Sequence, residues 1–184
     1  MESWPPDELR DEVYFLQPDA GLGTSRPVST QSTCYRYDPM APTPSVGGPT
    51  LAEDAGRRDN RGLESREDVV TFSTTDLQQP VAIAGSPRLE LYFRSTARQT
   101  DFVARVCDVD PLGRSYNVTD GVVRIRTDRQ GGHLGHLQLT LSPVAYEFKP
   151  GNRIRLQLSS GAHPRFARNG GDDGGALGES GSSR

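Results

Sequence analysis

Apolar and polar residues alternate with a period of two in three segments of the second half of the chain. Their apolar members are Leu89, Leu91 and Phe93, then Leu137, Leu139 and Leu141, then Ile154, Leu156 and Leu158. Successive side chains of a strand point to opposite faces, so each set predicts a strand with one buried face. Further strands are predicted at 12–16, 69–73, 81–85, 102–109 and 121–126, and 102–109 is apolar on both faces, as a central strand is.

Turn-forming residues separate the predicted strands. Asp110-Pro111-Leu112-Gly113 has Pro at the second position, where its fixed φ suits a type I or II turn. Lys149-Pro150-Gly151-Asn152 has the Pro-Gly pair of a type II turn. Short strands at this spacing predict an all-β fold, an antiparallel β-sandwich of the jelly-roll type.

The rest of the chain differs in composition and sets the predicted domain boundaries. Residues 1–66 are rich in proline, which interrupts helices and strand ladders, and they end in a charged stretch. They predict an extended lead-in arm and a charged surface loop. Residues 67–168 hold the sandwich. Residues 169–184 are rich in Gly and Ser and predict a disordered tail.

Composition and charge exclude several classes of protein. The chain has 184 residues, 33% of them hydrophobic, and a net charge of −3. There is no apolar run long enough to cross a membrane, and no basic surplus to bind nucleic acid. Cys34 and Cys107 lie too far apart in sequence to indicate a disulfide framework. Residues 1–10 carry acidic side chains and no apolar run, so we expect no secretory signal on this chain, and either a cytoplasmic protein or a fragment whose true N-terminus lies elsewhere.

Catalysis by a serine nucleophile finds little support in the residues themselves. The nearest match to a G-x-S-x-G elbow is Gly178-Glu179-Ser180-Gly181, which lacks the second glycine at the right spacing and has no helix after it. A flexible terminus is the simpler interpretation. We therefore predict no catalytic residue in this chain.

Metal binding is equally weakly indicated. His133 and His136 are three positions apart, but the glycines around them forbid the helix that would bring the two rings together. Asp101, Asp108 and Asp110 flank one strand and could hold calcium, or could cap turns and pair with arginines. Pairing is the more economical interpretation, so no metal site and no cofactor are predicted.

Aromatic residues of the arm point to a partner surface. The arm contains Trp4, Tyr14, Phe15, Tyr35 and Tyr37. Each such ring can bury roughly 150–250 Å² and is costly to leave in water. We expect them to pack against a surface that the arm alone does not provide.

Several motifs, taken together, resemble one family. They are Trp4-Pro5-Pro6, Tyr14-Phe15-Leu16, residues 35–39 and 42–48, residues 100–114, Asp120-Gly121-Val122-Val123-Arg124, residues 148–155, and Leu158-Ser159-Ser160 followed by residues 164–169. In this order and spacing the chain resembles the C-terminal domain of the cocaine esterase / X-Pro dipeptidyl-peptidase family of serine hydrolases, over roughly residues 4–170. The resemblance implies a galactose-binding-like jelly roll that packs on an α/β-hydrolase catalytic domain.

The same resemblance implies what the whole enzyme does and which residues take part. The catalytic Ser, Asp and His lie in the preceding catalytic domain, so none of them is carried over to this chain. Hydrolysis of esters or of Pro-containing peptides is implied for the whole enzyme. Leu51 corresponds to a loop beside the active-site cleft. Arg165, Phe166, Arg168 and Asn169 are the expected docking edge; alternatively they close the sandwich, with Arg168 pairing with Asp101 or Asp108.

Three departures from the family pattern bear on independent function. Asn152 replaces the usual His of a Gly-His-Arg turn, the segment 127–136 is short, and residues 170–184 stand where the family has its final strand. We therefore expect a truncated or split enzyme that is inactive alone and prone to self-association. The alternative is a free-standing carbohydrate- or ligand-binding module, which should show an exposed aromatic platform.

Overall fold

Strands make up most of the regular structure. The computed structural model describes residues 10–51, 53, 55–126 and 134–171. A 3-10 turn spans Pro18–Ala20 and a short helix, α1, spans Arg61–Glu64. The strands are β1 (Phe15–Leu16), β2 (Leu22–Gly23), β3 (Val69–Ser73), β4 (Val81–Gly85), β5 (Arg88–Arg94), β6 (Gln99–Val109), β7 (Ser115–Arg126), β8 (Leu134–Thr140), β9 (Val144–Phe148) and β10 (Arg153–Ser159).

One layer of the sandwich is a four-stranded antiparallel sheet in the order β3-β10-β6-β7. Leu156 of β10 lies between Phe72 of β3 and Val106 of β6. Phe102 and Ala104 of β6 face the hydrophobic core, and Val103 on the opposite face is buried near Pro44 and Leu63 of α1. Both faces of β6 are therefore covered, which explains why residues at odd and even positions are apolar there. Strands β6 and β7 are the longest paired strands, with Phe102 opposite Val123.

The other layer is a long ribbon of two antiparallel pairs, β4 with β9 and β5 with β8. A hydrogen bond from Leu141 N to the Pro87 carbonyl, 2.9 Å long, links the two pairs. Leu89, Leu137 and Leu139 turn from this ribbon toward the four-stranded sheet. The predicted antiparallel all-β sandwich is therefore confirmed.

The core follows the predicted alternation. Leucines of the ribbon meet Phe72, Phe102, Ala104, Leu156 and Leu158 of the other sheet. Leu91 and Phe93 are only half-buried, although both pack against this cluster. The Phe93 ring meets Phe102 edge-on, with 4.6 Å between ring centroids. The opposite-facing Arg94 is exposed, so the predicted facing of β5 is right.

Strand bounds differ from the prediction where the pattern is polar. The structure begins β7 at Ser115, six positions before the predicted start, because residues 115–120 pair with β6 although most are polar. Strand β9, which the sequence pattern did not predict, pairs with β4 over its whole length. Both predicted turns are present, with Gly113 N donating to the Asp110 carbonyl at 2.8 Å and Asn152 N to the Lys149 carbonyl at 3.1 Å.

The proline-rich segment packs on the sandwich through polar contacts. The Tyr35 hydroxyl and Ser160 Oγ are 2.8 Å apart, and Thr43 Oγ1 donates to Asp68 Oδ2 at 2.7 Å. Ser45 N donates to the His163 carbonyl at 2.8 Å. Tyr35 thus finds a surface within its own chain, while Trp4 lies outside the described residues. Within the described part of the chain, no helix is both long and apolar enough to cross a bilayer.

Candidate functional site: a loop seated on a buried ion network

Three charged side chains meet on the face of the four-stranded sheet that points away from the ribbon, under the segment around Val46 and the start of α1, and form what we call the buried ion network: Arg105, Asp120 and Arg165. Arg105 and Asp120 are cross-strand partners on β6 and β7, which brings their side chains together. Asp120 Oδ2 accepts hydrogen bonds from Arg105 Nη2 at 3.1 Å and from Arg165 Nη1 at 2.7 Å. Arg105 and Asp120 are each 3% exposed. A carboxylate buried this deeply needs such charge-assisted partners.

Arg105 also ties the network to the segment before α1. Its Nη1 donates to the Val46 carbonyl and to Asn60 Oδ1, both at 2.6 Å. Asn60 is fully buried, and its Nδ2 donates to the Arg58 carbonyl at 2.8 Å. One guanidinium therefore holds the sheet, the segment around Val46 and the start of α1 in a single arrangement.

Gly48 lies against the network and, with Gly56, forms the base of what we call the 48–56 loop, of which the structure describes residues 48–51, 53, 55 and 56. Gly48 and Gly56 close it with two backbone hydrogen bonds, 2.8 and 2.9 Å long. Gly47 and Gly48 both have positive φ, at 65° and 91°. A Cβ at Gly47 would lie 2.5 Å from the Gly56 carbonyl oxygen, so only glycine fits there.

Gly48 also packs closely, because a Cβ there would lie 3.1 Å from both Arg165 Nη1 and Asp120 Oδ2. The loop base and the ion network are therefore in contact. Asn117 of β7 holds the far side, since its Nδ2 donates to the Gly56 carbonyl at 2.9 Å and its Oδ1 accepts from Arg58 N at 2.7 Å. The base of the loop is fixed from two directions.

Leu51 lies on this loop and is fully exposed, at 107% of its reference surface. Its predicted place beside a catalytic cleft involves a second domain and stays a prediction. The structure shows an apolar side chain held out in solvent by a loop with a fixed base.

An open pocket of about 410 Å³ lies beside the loop base. Its lining comes from the loop and the residue after it (Gly48, Arg57), from β7 (Thr119, Asp120), and from the β8–β9 connection and β9 (Ser142, Tyr146). Asp120 Oδ1 is buried, and no described residue donates a hydrogen bond to it. The Arg57 guanidinium lies 3.6 Å above the centroid of the Tyr116 ring.

A second buried acid, Asp108, lies next to the pocket wall. Its Oδ2 accepts from the Tyr146 hydroxyl at 2.7 Å and its Oδ1 from Asn152 Nδ2 at 2.8 Å. Asn152, the departure from the family's His, thus serves Asp108 as a hydrogen-bond donor. Burial, and then the contact with Asp108, raise the pKa of Tyr146 to about 12.

This raised pKa predicts a loss of stability at high pH. The folded state favours the neutral Tyr146 ring, so its contribution is complete below about pH 10, the unfolded pKa, and is lost as pH rises toward about 12. We expect the free energy of unfolding of Tyr146→Phe to fall less over this window than that of the unaltered protein. Urea titrations followed by circular dichroism at stepwise pH measure the two slopes.

Tyr92→Phe is the control, because that ring is exposed. It should keep the slope of the unaltered protein. Equal slopes for Tyr146→Phe and the unaltered protein would contradict the assignment.

The predicted docking residues divide into two kinds. Arg165 belongs to the buried ion network, and Asn169 is buried, with its Nδ2 donating to Asp101 Oδ1 at 2.9 Å. Arg168 is exposed, and Phe166 is half-buried under the Arg165 guanidinium at 4.9 Å. Arg165 and Asn169 therefore hold the segment after β10 to the sandwich.

The structure shows no ion pair of Arg168 with Asp101 or Asp108, which was the alternative predicted from the sequence. Asp101 is paired with Arg124 at 2.7 Å and with Asn169, and Asp108 with Tyr146 and Asn152. These two acids are thus already paired, and Asp110 pairs with Arg114 at 2.6 Å. Asp101 and Asp110 thus pair with arginines, as the economical interpretation of the sequence expects, whereas Asp108 is bonded to Tyr146 and Asn152 instead.

Other candidates from the sequence lie apart from this site. His136 bonds Glu90 at 2.8 Å and stacks on Tyr92 with 4.7 Å between ring centroids, while His133 and Ser180 lie outside the described residues. Among the residues that the structure describes, no cluster of His, Cys, Asp or Glu is arranged to hold a metal ion. Cys107 is fully buried, and burial raises the pKa of its thiol to about 12.

Sequence reasoning missed the buried ion network. A usable signal was present, because Arg105 stands in the middle of an apolar strand and Asp120 directly precedes Gly121. A charge inside a strand buried on both faces predicts a buried partner. The identity of that partner depends on strand register, which the pattern alone did not supply.

Comparisons with known proteins link these features to a family. The family described as X-Pro dipeptidyl-peptidase C-terminal non-catalytic domain matches residues 1–182. The cocaine esterase of Rhodococcus sp. (strain MB1 Bresler) is 33% identical over 185 aligned positions, which cover 90% of this chain and 32% of that protein. The chain thus spans about a third of the length of this relative.

Two solved structures share the fold. An aminopeptidase from the marine sediment archaeon Thaumarchaeota archaeon is 27% identical, with a TM-score of 0.79 over 91% of this chain and 32% of its own. An α-amino acid ester hydrolase is 24% identical, with a TM-score of 0.72 over 86% of this chain and 30% of its own. Both of these proteins are about three times as long as the part that matches.

Proposed function

We propose that this chain, which belongs to the family of X-Pro dipeptidyl-peptidase C-terminal non-catalytic domains, packs on a serine-hydrolase catalytic domain and shapes its active-site entrance with the 48–56 loop. The observation that carries the proposal is the contrast within that loop. Its base is fixed by the buried ion network, while Leu51 is completely exposed.

Energetics support a contact role for this loop. Burying a leucine side chain is worth about 1.5–3 kcal/mol relative to leaving it in water. The two ends of the loop, Gly48 and Gly56, are already held by hydrogen bonds, so covering Leu51 adds no entropy cost for ordering these ends and more of that gain is kept on binding. The exposed Leu51 is thus suited to contact with a second surface.

Two relatives are named as a cocaine esterase and an aminopeptidase. Their names support the proposal that the larger enzyme to which this domain belongs cleaves esters or amides. In the proposed enzyme the catalytic triad belongs to the other domain, and this chain supplies shape and no nucleophile. Phe166 and Arg168 extend the docking surface along the segment after β10.

A second candidate function, a free-standing ligand-binding module, has one observation in its favour. Tyr92 is 65% exposed on the outer face of β5 and stacks on His136 of β8. This pair is the kind of exposed aromatic surface that a binding module uses. Protection of Tyr92, and not of Leu51, on addition of oligosaccharides would favour the module.

A chimera tests the proposed function, with this chain replacing the matching third of the Rhodococcus cocaine esterase. We expect it to hydrolyse a 4-nitrophenyl ester, and we expect Leu51→Arg to raise KM or lower kcat because a charge replaces an apolar contact at the cleft. Steady-state kinetics on purified chimeras measure both constants.

Val28→Arg is the matched control, since Val28 is exposed to the same degree, at 106%, on another segment. It should leave both constants unchanged. A chimera without esterase activity, or equal effects of the two substitutions, would contradict the proposal.

A further inference from the structure

We infer that Arg57, on the lining of the open pocket beside the 48–56 loop, forms an ion pair with an aspartate or glutamate side chain of the catalytic domain. The inference rests on the proposed function, because it takes the surface around the loop as the docking face. It goes further by naming the residue that recognises the partner and the chemistry of the group that this residue binds.

The first step is that Arg57 has no acidic partner in the described part of the chain. Two arginines nearby do have one, because Arg61 pairs with Asp59 and Arg114 with Asp110, each at 2.6 Å. No ion pair of Arg57 is found among the described residues, although its side chain is exposed. An arginine is charged at any physiological pH. Arg57 therefore carries a positive charge that no described acid neutralises.

The second step is the fixed position of this guanidinium. It lies 3.6 Å above the centroid of the Tyr116 ring, which is a favourable cation–π contact. It also lies close to the Tyr146 hydroxyl, whose pKa it lowers against the larger opposing effect of burial. Contact with an aromatic face leaves N–H donors of arginine for a second partner, and a side chain that is already ordered loses less entropy on binding.

The third step is the pocket beside Arg57, which is open and has a volume of about 410 Å³. Pro49, Val118 and Pro143 give it apolar walls. The methylene groups of an acidic side chain can lie against such walls while the carboxylate reaches the guanidinium. A planar carboxylate matches the fork of N–H donors on arginine and can accept two parallel hydrogen bonds from it. The lining thus suits an aspartate or a glutamate in both shape and chemistry.

The fourth step is the balance of charge around the pocket. Three arginines, Arg57, Arg105 and Arg165, stand against two acids, Asp108 and Asp120. Both acids are buried, and both accept hydrogen bonds from donors of this chain. Of these five side chains only Arg57 is exposed. An incoming carboxylate therefore meets a net positive charge, whereas a lysine or an arginine would be repelled by it.

The catalytic domain is the partner that fits this location. The pocket shares Gly48 and Pro49 with the 48–56 loop, so a surface that covers Leu51 also comes close to the pocket mouth. The solved relatives have about two thirds of their length outside the matched part, so they contain the additional surface that such docking requires.

Chemical cross-linking tests the inference in the chimera with the Rhodococcus cocaine esterase. Arg57→Lys keeps the positive charge and introduces a primary amine, which a water-soluble carbodiimide joins as an amide to a carboxylate in contact with it. The chain has a single lysine of its own, Lys149, so a product at position 57 is readily assigned by mass spectrometry of the peptides. We expect an amide between position 57 and an aspartate or glutamate of the catalytic domain.

Arg26→Lys is the matched control for the cross-link. The Arg26 guanidinium is also exposed and also lies over an aromatic ring, that of Phe15, at 5.3 Å from its centroid, but it belongs to another segment. The amine introduced there should give at least about 10-fold less product with the catalytic domain than the amine at position 57.

Charge reversal measures what the ion pair contributes to docking. Leu51→Cys, with the exposed Cys34 changed to Ser, should be labelled by a maleimide at least about 10-fold more slowly in the chimera than in the free chain. Adding Arg57→Glu places like charges together, so we expect the labelling rate to rise about 10-fold in the chimera and to stay unchanged in the free chain. Arg26→Glu should change neither rate.

The outcomes separate the two proposals. A cross-link from position 57 to an acid of this chain such as Glu53, or no cross-link at all, with the Leu51→Cys thiol protected, overturns the ion pair and leaves the proposed function in place. Equal labelling of that thiol in free chain and chimera overturns both. An unchanged labelling rate on adding Arg57→Glu to a folded chimera also overturns the ion pair. If Arg57→Glu prevents folding, the cross-link through the conservative Arg57→Lys decides.

Discussion

Replacing Asp120 by Ala is expected to lower the free energy of unfolding of this chain by about 3–5 kcal/mol. The substitution leaves the Arg105 guanidinium, whose side chain is 4% exposed, buried beneath the segment around Val46 without its carboxylate. It also removes the anchor of Arg165, so the segment after β10 and the base of the 48–56 loop both lose a contact. Urea unfolding followed by far-UV circular dichroism measures the change.

An ion pair at the surface provides the matched control. Asp59 and Arg61 are 2.6 Å apart, but their side chains are 33% and 57% exposed. Exposed pairs of this kind contribute about 0–1 kcal/mol, so Asp59→Ala should cost far less than Asp120→Ala. Similar losses for the two variants would mean that the network is not the structural anchor that its burial indicates.

Replacing Phe148 by Ala is expected to cost a similar amount, about 3–5 kcal/mol. Phe148 is fully buried at the end of β9, opposite Val81, and its ring meets that of Tyr146 edge-on at 5.0 Å between centroids. Its removal leaves a cavity that the surrounding strands cannot close, since β9 is held to β4 by their ladder. The same denaturation assay measures the loss.

Glu147→Ala is the control for Phe148→Ala because Glu147 neighbours it in sequence and points to the exposed face of β9. Its effect should lie within about 0.5 kcal/mol of zero. A small loss for Phe148→Ala, or a large one for Glu147→Ala, would show that the facing of β9 differs from that of the structure.

Some parts of the sandwich could be predicted because their signal is local. Leu137, Leu139 and Leu156 are buried as the alternation predicts, since the two-residue period of a strand depends only on neighbouring residues. Strand β9 was missed because its five residues include only three with inward-facing side chains, too few to distinguish a strand from a loop. Its pairing with β4 supplies the missing evidence.

Candidate functional residues were predicted with less success, again for a physical reason. The resemblance of whole motifs led to the family. It singled out Leu51 and Arg165, but it did not predict which residues these two contact. Arg165 proved to be a donor to buried Asp120. The roles of Phe166 and Arg168 at a docking surface stay predictions.

The sequence by itself determined the all-β sandwich, its main strands, its turns and its family, because alternation, turn residues and ordered motifs are all written along the chain. Only the tertiary structure decided which charges meet. Val46, Arg105, Asp120 and Arg165 come from four separate segments, and their contact depends on the register of β6 with β7 and on the path of the chain after β10. Burial between the four-stranded sheet and the segment around Val46 then makes that contact strong, because such a site screens charges far less than water does.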